Sequence, residues 1–334
     1  MNILITGTAG FIGYHLVKRL VSNSNLFVVG IDNINTYYDT ELKIGRLSES
    51  GISGTILYGE LMQSDRYDNY HFIKLDLCDK EGLSNLFKTQ QFDVVINLAA
   101  QAGVRYSLKV PEEYISSNVS GFLNIIECCR NYSIKHLLYA SSSSVYGLSD
   151  KSPFKEGVQT DFPANLYGAT KKMNELMAFA YGNLYNLPST GLRFFTVYGP
   201  WGRPDMALMI FTKAIIEGSP IMIHNNGNHT RDFTYVEDVV YGISKLLYRD
   251  LSVNPTEVYN IGSGRNISLI SFIELLEDKL GKKAIKEMNE KHNGDMLDTL
   301  ADTSKFEREF NKLPITPFED GIDTFIQWYN NYYC

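Results

Sequence analysis

The sequence predicts an α/β fold in which a doubly wound parallel sheet carries helices on both faces. Two observations predict it. Short apolar runs alternate with helical patterns through the first part of the chain, and a glycine-rich turn directly follows the first apolar run. Such alternation is typical of βαβ units, whose strands are buried on both faces. The predicted strands cover residues 2–6, 26–32, 71–75, 93–98, 136–140 and 189–194.

The glycine turn after the first strand predicts a dinucleotide site. Gly7, Gly10 and Gly13 form G-x-x-G-x-x-G before a helix that runs to about residue 22. Glycines let the backbone approach a pyrophosphate, and the helix N-terminus offers free N–H groups. Asp32 ends the second strand, 19 residues after Gly13, where a carboxylate accepts both ribose hydroxyls and repels a 2′-phosphate. The pattern favours NAD over NADP; a glycine turn in an ordinary α/β protein is the competing interpretation.

The later elements predict a second, smaller lobe. A helix over residues 111–131 begins at a proline, which the first turn tolerates, and connects the fourth and fifth strands. The expected nucleotide-binding domain comprises residues 1–194 with about 232–262, and the substrate lobe residues 195–231 and 263–334. Residues 35–68 are polar and rich in Gly and Ser, so we expect a lid or a dimer loop there rather than core. Beyond Gly199 we predict strands at 221–224 and 257–260 and helices at 205–217, 268–281, 303–311 and 317–332.

One motif predicts proton transfer. Tyr167 and Lys171 are four residues apart in Y-G-A-T-K, and a run of serines, 141–144, lies upstream. Residues four apart share a helix face, so the ammonium can lower the pKa of the phenol from its ordinary value of about 10. Tyr167 then becomes a general base near neutral pH. Because Y-x-x-x-K also arises by chance, its context must decide.

Composition narrows the classes of function. The 334 residues carry a net charge of −7, which argues against nucleic acid as a partner. The four cysteines show no metal-ligand spacing, and Cys128 and Cys129 are adjacent, so we expect free thiols and no metal site. No apolar run approaches the roughly 20 residues of a membrane span, and we expect no signal peptide, because the chain enters a strand directly after Met1. We therefore expect a cytoplasmic protein with no membrane partner.

Several longer strings resemble one family, the extended short-chain dehydrogenase/reductases, and within it the nucleotide-sugar 4-epimerases. The similarity runs from Gly7 to about Trp328 and is greatest to the UDP-glucuronate 4-epimerase group, although the insertion after the second strand is longer here. The string R-F-F-T-V-Y-G-P-W-G-R-P-D-M-A is far more specific than any glycine motif. The matching strings cover residues 32–39, 97–107, 139–147, 193–207 and 231–236.

The resemblance implies a Rossmann-type fold and a set of NAD contacts. It places the pyrophosphate on the glycine turn, the adenosine ribose on Asp32 and Lys43, and the adenine beside Asp76 and Leu77. Asp76 has a competing role, since Asp-Leu after a strand is also a common helix cap. The implied cofactor residues are Gly7, Gly10, Phe11, Ile12, Gly13, Asp32, Asn33, Lys43, Asp76, Leu77, Leu98, Ala99, Ala100, Tyr167 and Lys171.

The resemblance also implies a UDP-sugar site. It makes Ser142, Tyr167 and Lys171 the catalytic residues, although which of the four serines supplies the hydroxyl stays open. Arg203 and Arg231 would bind the diphosphate or hold the nucleotide through their guanidinium groups, and Asp295 would bind the uridine ribose. The implied substrate residues are Arg105, Ser142, Ser143, Ser144, Tyr167, Phe195, Thr196, Arg203, Arg231 and Asp295.

The implied reaction is transient oxidation at C4 of the sugar, which turns over as a 4-keto intermediate before reduction on its other face. Related dehydratases carry Asp-Glu where this chain has Ser143 and Ser144, and related decarboxylases carry Glu at Ser144. Four alternatives to UDP-glucuronate epimerisation stay open: 4-epimerisation of UDP-glucose or of UDP-N-acetylglucosamine, decarboxylation of UDP-glucuronate, and an inactive NAD-binding protein. The family further implies a homodimer that packs through residues 111–131 and 166–185.

Overall fold

The computed structural model describes residues 1–149, 152–290 and 298–334. Eight strands form one sheet in the order β11-β7-β6-β5-β1-β2-β4-β3, and β3 alone runs antiparallel to its neighbour there. This arrangement confirms the predicted doubly wound parallel sheet. The strands of the described residues are β1 Asn2–Thr6, β2 Phe27–Asp32, β3 Leu61–Gln63, β4 Tyr70–Lys74, β5 Val94–Asn97, β6 His136–Ser142, β7 Ser189–Phe194, β8 Thr196–Tyr198, β9 Pro220–His224, β10 Thr230–Tyr235, β11 Thr256–Ile261, β12 Asn266–Ser268 and β13 Ile285–Asn289.

The helices cover both faces of this sheet and build the second core. The helix predicted over 111–131 contains a π-helical segment, Ile115–Ser120, between two α-helical parts. Such π segments are frequent at functional sites. The α-helices are α1 Phe11–Val21, α2 Thr40–Glu49, α3 Lys80–Gln90, α4 Pro111–Tyr114, α5 Gly121–Asn131, α6 Leu166–Tyr185, α7 Ala207–Glu217, α8 Val236–Leu246, α9 Leu269–Leu280, α10 Ser304–Phe310 and α11 Phe318–Tyr333.

The central strands are apolar because both faces of the sheet are buried. Along β1, Ile3 and Ile5 pack into one core cluster, which α1 and α8 cover. Leu4, between them, packs into a second cluster under α3, α5 and α6. Successive side chains of a strand point to opposite faces, so a continuous apolar run fills two cores. The layers fix the carboxyl ends of the strands along a single edge.

A further core belongs to the part of the chain beyond β7. Strands β12, β10 and β8 form a small sheet, and β13 pairs with β9. Phe233, Phe272 and Phe325 are buried together between these strands and helices α7, α9 and α11. The sequence interpretation missed β8, β10, β12, β13 and α8. Three of these elements are strands of three to five residues, too short for a clear alternation of apolar and polar residues.

The stretch 35–68 differs from its prediction. It forms helix α2, capped by the Asp39 carboxylate, which accepts a hydrogen bond from the Glu41 N–H group, and it ends in the edge strand β3. Leu47 and Ile52 are buried in the same core cluster as α1. The expectation of a lid or dimer loop outside the core is therefore wrong for this helix. Its polar composition reflects one exposed face.

Among the helices of the described residues, none combines the length and the apolar character that a membrane crossing requires.

Candidate active site

Two clefts open along the carboxyl edge of the large sheet and meet. The first runs over the glycine turn and the ends of β2, β4, β5 and β6 to helix α6. The second lies between the first cleft and the smaller lobe. Ligands of doubly wound folds bind at this edge. The residues that line both clefts are Phe11, Tyr37, Val197, Arg203 and Met206.

The glycine turn is shaped for close approach of an anion. Gly7 has φ +77°, a left-handed conformation, and a Cβ at Gly13 would lie 2.1 Å from the Gly7 carbonyl oxygen. Glycine is therefore required at both positions. Helix α1 begins after Gly10 with no side-chain cap and no acidic residue in its first turn. Its first N–H groups stay available to a phosphate, so these residues fit a dinucleotide pyrophosphate.

The acidic end of β2 is fixed beside this turn. The Asp32 carboxylate accepts hydrogen bonds from the Ala9 N–H group at 3.2 Å and the Ile34 N–H group at 2.8 Å. The Lys43 ammonium donates to the Asn35 backbone oxygen at 2.8 Å and to its side-chain oxygen at 2.6 Å. Burial lowers the pKa of Lys43, and the charge of Asp32 opposes that change. An acid and a base thus lie together at the expected ribose position.

Asp76 is held as a side-chain acceptor rather than as a helix cap. It accepts a hydrogen bond from the Asn33 amide at 2.8 Å. The N-cap of α3 is Asp79, which accepts from the Gly82 N–H group at 2.9 Å. Asp79, and not Asp76, therefore caps helix α3. Every residue that we expected at the cofactor lines the first cleft.

The structure also brings the expected catalytic residues together. Ser142, Tyr167 and Lys171 all line the first cleft. Helix α6 begins at Leu166 because the Asn165 side chain caps it by accepting from the Gly168 N–H group at 2.8 Å. That start places Tyr167 and Lys171 on one face, one turn apart, as the spacing predicts.

Hydrogen bonds separate the roles of the first two serines. The Ser141 hydroxyl is buried and donates to the Glu175 carboxylate at 2.7 Å. Glu175 in turn accepts two hydrogen bonds from Arg193, each 2.8 Å long. The Ser142 hydroxyl accepts a bond from the Ser144 N–H group at 3.1 Å and also interacts with the Tyr167 hydroxyl. Ser142 therefore faces Tyr167, whereas Ser141 joins β6 to α6 and β7.

The electrostatics of Tyr167 differ from the expectation. Burial raises its pKa, while a hydrogen bond to Ser142 and the charge of Arg203 act in the opposite direction. The Lys171 ammonium donates to the Ala140 carbonyl at 2.9 Å, and burial lowers the pKa of Lys171 to about 7. The expectation that Lys171 gives Tyr167 a lowered pKa is therefore wrong. Desolvation outweighs the charged neighbours.

The expected substrate residues are spread over both clefts. Phe195 lines the first cleft, and Arg203 lines both. Ser143 and Ser144 are partly buried and line neither cleft. Asp295 lies outside the described residues. Those that line the second cleft are Arg105, Thr196, Arg203 and Arg231.

Sequence reasoning missed a group around Arg203. Its guanidinium pairs with the Asp205 carboxylate, with Nε 3.0 Å from Oδ1, and the Tyr37 hydroxyl donates to the same carboxylate at 2.9 Å. Tyr37 belongs to a string that carried the family resemblance, so its position was a usable signal. At the far end of the second cleft, the Arg105 guanidinium lies 3.0 Å from Nε2 of His224. No sequence pattern pointed to that histidine.

Comparison with known proteins matches residues 3–262 to the NAD dependent epimerase/dehydratase family. The chain belongs to this family. Protein CapI of Staphylococcus aureus is 47% identical to this epimerase/dehydratase over 348 residues, which cover 100% of this chain and 99% of CapI. A probable UDP-glucuronate 4-epimerase of Rhizobium meliloti is 40% identical over 349 residues, covering 100% and 98%.

A solved structure extends the comparison of this epimerase/dehydratase to three dimensions. UDP-glucuronic acid 4-epimerase from Bacillus cereus, in complex with UDP-glucuronic acid and NAD, superposes with a TM-score of 0.89 at 33% identity. The match covers 100% of both chains. The family resemblance inferred from the sequence strings is therefore confirmed, and the whole of both clefts lies within the matched region.

Proposed function

We propose that this protein is an NAD-dependent isomerase that interconverts UDP-glucuronate and UDP-galacturonate by inverting C4. One observation carries the proposal: Ser142, Tyr167 and Lys171 line the dinucleotide-shaped cleft beside Arg203, where that cleft meets the second one. A cofactor and a sugar nucleotide can meet only at this junction. The similarity to UDP-glucuronate 4-epimerases over the full chain supports the same activity.

The first cleft would hold NAD through the residues described above. The N–H groups of α1 face the pyrophosphate position, and Asp32 suits the ribose hydroxyls. NAD held there would supply the hydride acceptor and donor for C4, and its positive ring would favour an ionised Tyr167. The remaining chemistry belongs to the side chains of this chain.

Tyr167 is the general base for the C4 hydroxyl. Its hydrogen bond with Ser142 and the charge of Arg203 favour its ionised form, which burial alone would suppress. The Ser142 hydroxyl, which lies beside Tyr167, would turn its proton to the C4 oxygen when the sugar is bound and would stabilise that oxygen in both the alcohol and the ketone. Lys171 stays on the Ala140 carbonyl and fixes the end of β6 beside α6.

The uronate substrate requires control of its carboxylate. A 4-keto uronate is a β-keto acid, which loses carbon dioxide when the carboxylate aligns with the carbonyl π system. Thr196, which lines the second cleft, would hold the carboxylate in the plane of the ring and so suppress that loss, whereas Ser143 and Ser144 line neither cleft. Serine at positions 143 and 144 also lacks the acid and base that elimination of water needs. These residues favour epimerisation over either lyase reaction.

The experiment that tests this function follows purified protein with UDP-glucuronate by NMR. Appearance of UDP-galacturonate without added NAD supports the proposal, since NAD that is regenerated in each cycle is expected to stay bound during purification. A UDP-pentose with released carbon dioxide would identify a decarboxylase instead. Turnover of UDP-glucose or UDP-N-acetylglucosamine with no reaction of UDP-glucuronate would reassign the sugar. No reaction with any of the three would indicate an inactive NAD-binding protein.

We also propose that the protein is a homodimer packed through α5 and α6. Both helices carry large apolar side chains that are exposed in the single chain: Leu123, Met173, Leu176, Phe179 and Leu184. On α6 these positions lie on one side of the helix. An apolar surface of this kind is typical of an interface.

We assign the two binding functions to the two expected domains. Residues 1–194 with 232–262 would bind NAD, and 195–231 with 263–334 would bind the UDP-sugar. The free cysteines suit a reducing compartment, which supports a cytoplasmic site of action.

A further inference from the structure

Arg46 of helix α2 is an arginine that no role in the reaction accounts for. Its side chain is fully buried. It donates hydrogen bonds to the Ala9 carbonyl at 2.8 Å, the Tyr38 hydroxyl at 2.6 Å and the Trp201 carbonyl at 3.1 and 2.7 Å. A longer contact, 3.4 Å, reaches the Gly202 carbonyl. The guanidinium therefore uses all three of its nitrogens.

These acceptors belong to three separate segments of the site. Ala9 lies inside the glycine turn, between Gly7 and Gly10. Tyr38 lines the first cleft, next to Tyr37, which lines both. Trp201 and Gly202 directly precede Arg203. The Arg46 side chain thus joins three loops: the glycine turn expected to bind the pyrophosphate, the loop after β2, and the loop that carries Arg203, which lines both clefts.

The charge of Arg46 is not neutralised by an acid. Among the described residues, no carboxylate lies within ion-pair distance of its guanidinium. Burial of an uncompensated charge is costly, so the presence of a buried arginine at position 46 needs a physical reason. The pyrophosphate expected at Gly7–Gly13 is the anion that this charge would favour. Carbonyl oxygens from both sides of the cleft meanwhile hold the planar guanidinium in place.

We propose that Arg46 is a positioning residue that holds the glycine turn and the Trp201–Arg203 loop in register and strengthens dinucleotide retention. The part that concerns the sugar rests on the proposed function; the part that concerns the dinucleotide does not. Lysine cannot replace it, because one ammonium cannot reach three segments at once. The Arg46 guanidinium would then fix both the position of the cofactor and the position of Arg203.

Arg249 provides a matched control. It is also buried and also bonds neutral oxygens: the Thr190 hydroxyl at 3.0 Å, the Asn254 carbonyl at 2.6 Å and the Pro255 carbonyl at 3.0 Å. It lines neither cleft. The Arg249→Lys variant therefore measures the general cost of losing a buried, fork-shaped donor.

The test compares Arg46→Lys with Arg249→Lys in the full-length protein. Thermal unfolding, NAD retained after gel filtration, the dissociation constant for re-added NAD, and kcat and KM with UDP-glucuronate are measured. We expect both variants to lose stability. Only Arg46→Lys should weaken NAD binding, by about tenfold, the order expected for one lost hydrogen bond to a charged group. Its kcat should fall further than its KM rises.

Equal NAD affinity in the two variants would overturn the proposal and leave Arg46 a purely structural residue. If Arg46→Lys does not fold, Tyr38→Phe removes one acceptor and should weaken NAD retention in the same direction; unchanged retention would count against the proposal. The NAD measurements need no sugar substrate. Failure of the wild type to turn over UDP-glucuronate would thus refute the proposed function and leave the Arg46 test intact.

Discussion

Burial of Tyr167, the proposed general base, disfavours its ionised form. Burial raises its pKa, and Ser142 and Arg203 lower it. Lys171 lies one turn away, with its ammonium on a backbone carbonyl. The positive nicotinamide ring of bound NAD would add to the groups that favour the ionised phenol.

Replacement of Tyr167 by Phe should remove the base and little else. We expect kcat to fall by roughly 10² or more, the order that general-base catalysis contributes. NAD should stay bound, since the ring remains. The measurement is product formation from UDP-glucuronate by NMR, with bound NAD quantified in parallel. Near-normal turnover would show that another group takes the proton.

The buried Lys171 predicts a pH-dependent stability. Burial lowers its pKa to about 7, against 10.5 for an ordinary lysine. Between these values the unfolded chain binds one more proton than the folded chain, so stability rises with pH. In NAD-free protein, the free energy of unfolding of wild type relative to Lys171→Met should therefore rise from pH 7 toward 10.5 and be flat below 7. Urea unfolding across this window tests it; a pH-independent difference would contradict it.

Among the elements, the glycine turn and helix α1 impose the tightest requirement. A Cβ at Gly13 would lie 2.1 Å from the Gly7 carbonyl oxygen and 3.0 Å from the Thr8 Cα atom. Both neighbours are backbone, so the helix or the turn must shift. The helix N-terminus and the turn form the anion site together, and a shift of either would spoil it.

We predict that Gly13→Ala lowers stability by about 1–3 kcal/mol, the usual cost of overpacking, and weakens NAD binding. Gly157→Ala is the control, because no atom lies within 4 Å of a Cβ there. Calorimetric NAD titration and urea unfolding of the two variants provide the comparison. If Gly13→Ala bound NAD as tightly as Gly157→Ala, the close packing at the turn would not matter.

Elements with strong periodicity could be predicted from the sequence, and others could not. All six strands predicted before Gly199 are present, because each is an apolar run between turn residues, and the strands predicted at 221–224 and 257–260 are present as β9 and β11. Helix α2 was missed because its exposed face is polar and its contribution to the core rests on a few residues such as Leu47. The edge strand Leu61–Gln63 pairs only with β4, and long-range pairing leaves no local pattern.

The site residues likewise include some that the sequence predicts and some that it does not. Motif strings placed the cofactor residues at one cleft, since they follow strand ends that the topology brings together. They did not reveal Arg46, whose partners at 9 and 201 are far away in sequence, nor the pairing of Arg203 with Asp205 and Tyr37. They also gave the wrong direction for the pKa of Tyr167, because burial is not visible in a spacing of four residues.

For the molecule as a whole, the exposed apolar side of α5 and α6 predicts its assembly. We expect a dimer in light scattering after gel filtration. The double variant Leu176→Glu, Phe179→Glu should become monomeric without loss of secondary structure, because both side chains are exposed in the single chain. Val253→Glu, at an exposed position in another region, should stay dimeric. A wild-type monomer would refute the proposed interface.

The two lobes meet where the clefts join, and the proposed reaction there removes hydride from C4 of the sugar and returns it to the same carbon. UDP-glucuronate labelled with deuterium at C4 and converted in ordinary water tests this hydride return. We expect the UDP-galacturonate formed to keep its deuterium at C4, as NMR and mass spectrometry would show. Loss of the label to solvent would mean that C4 exchanges a proton instead and would refute hydride return.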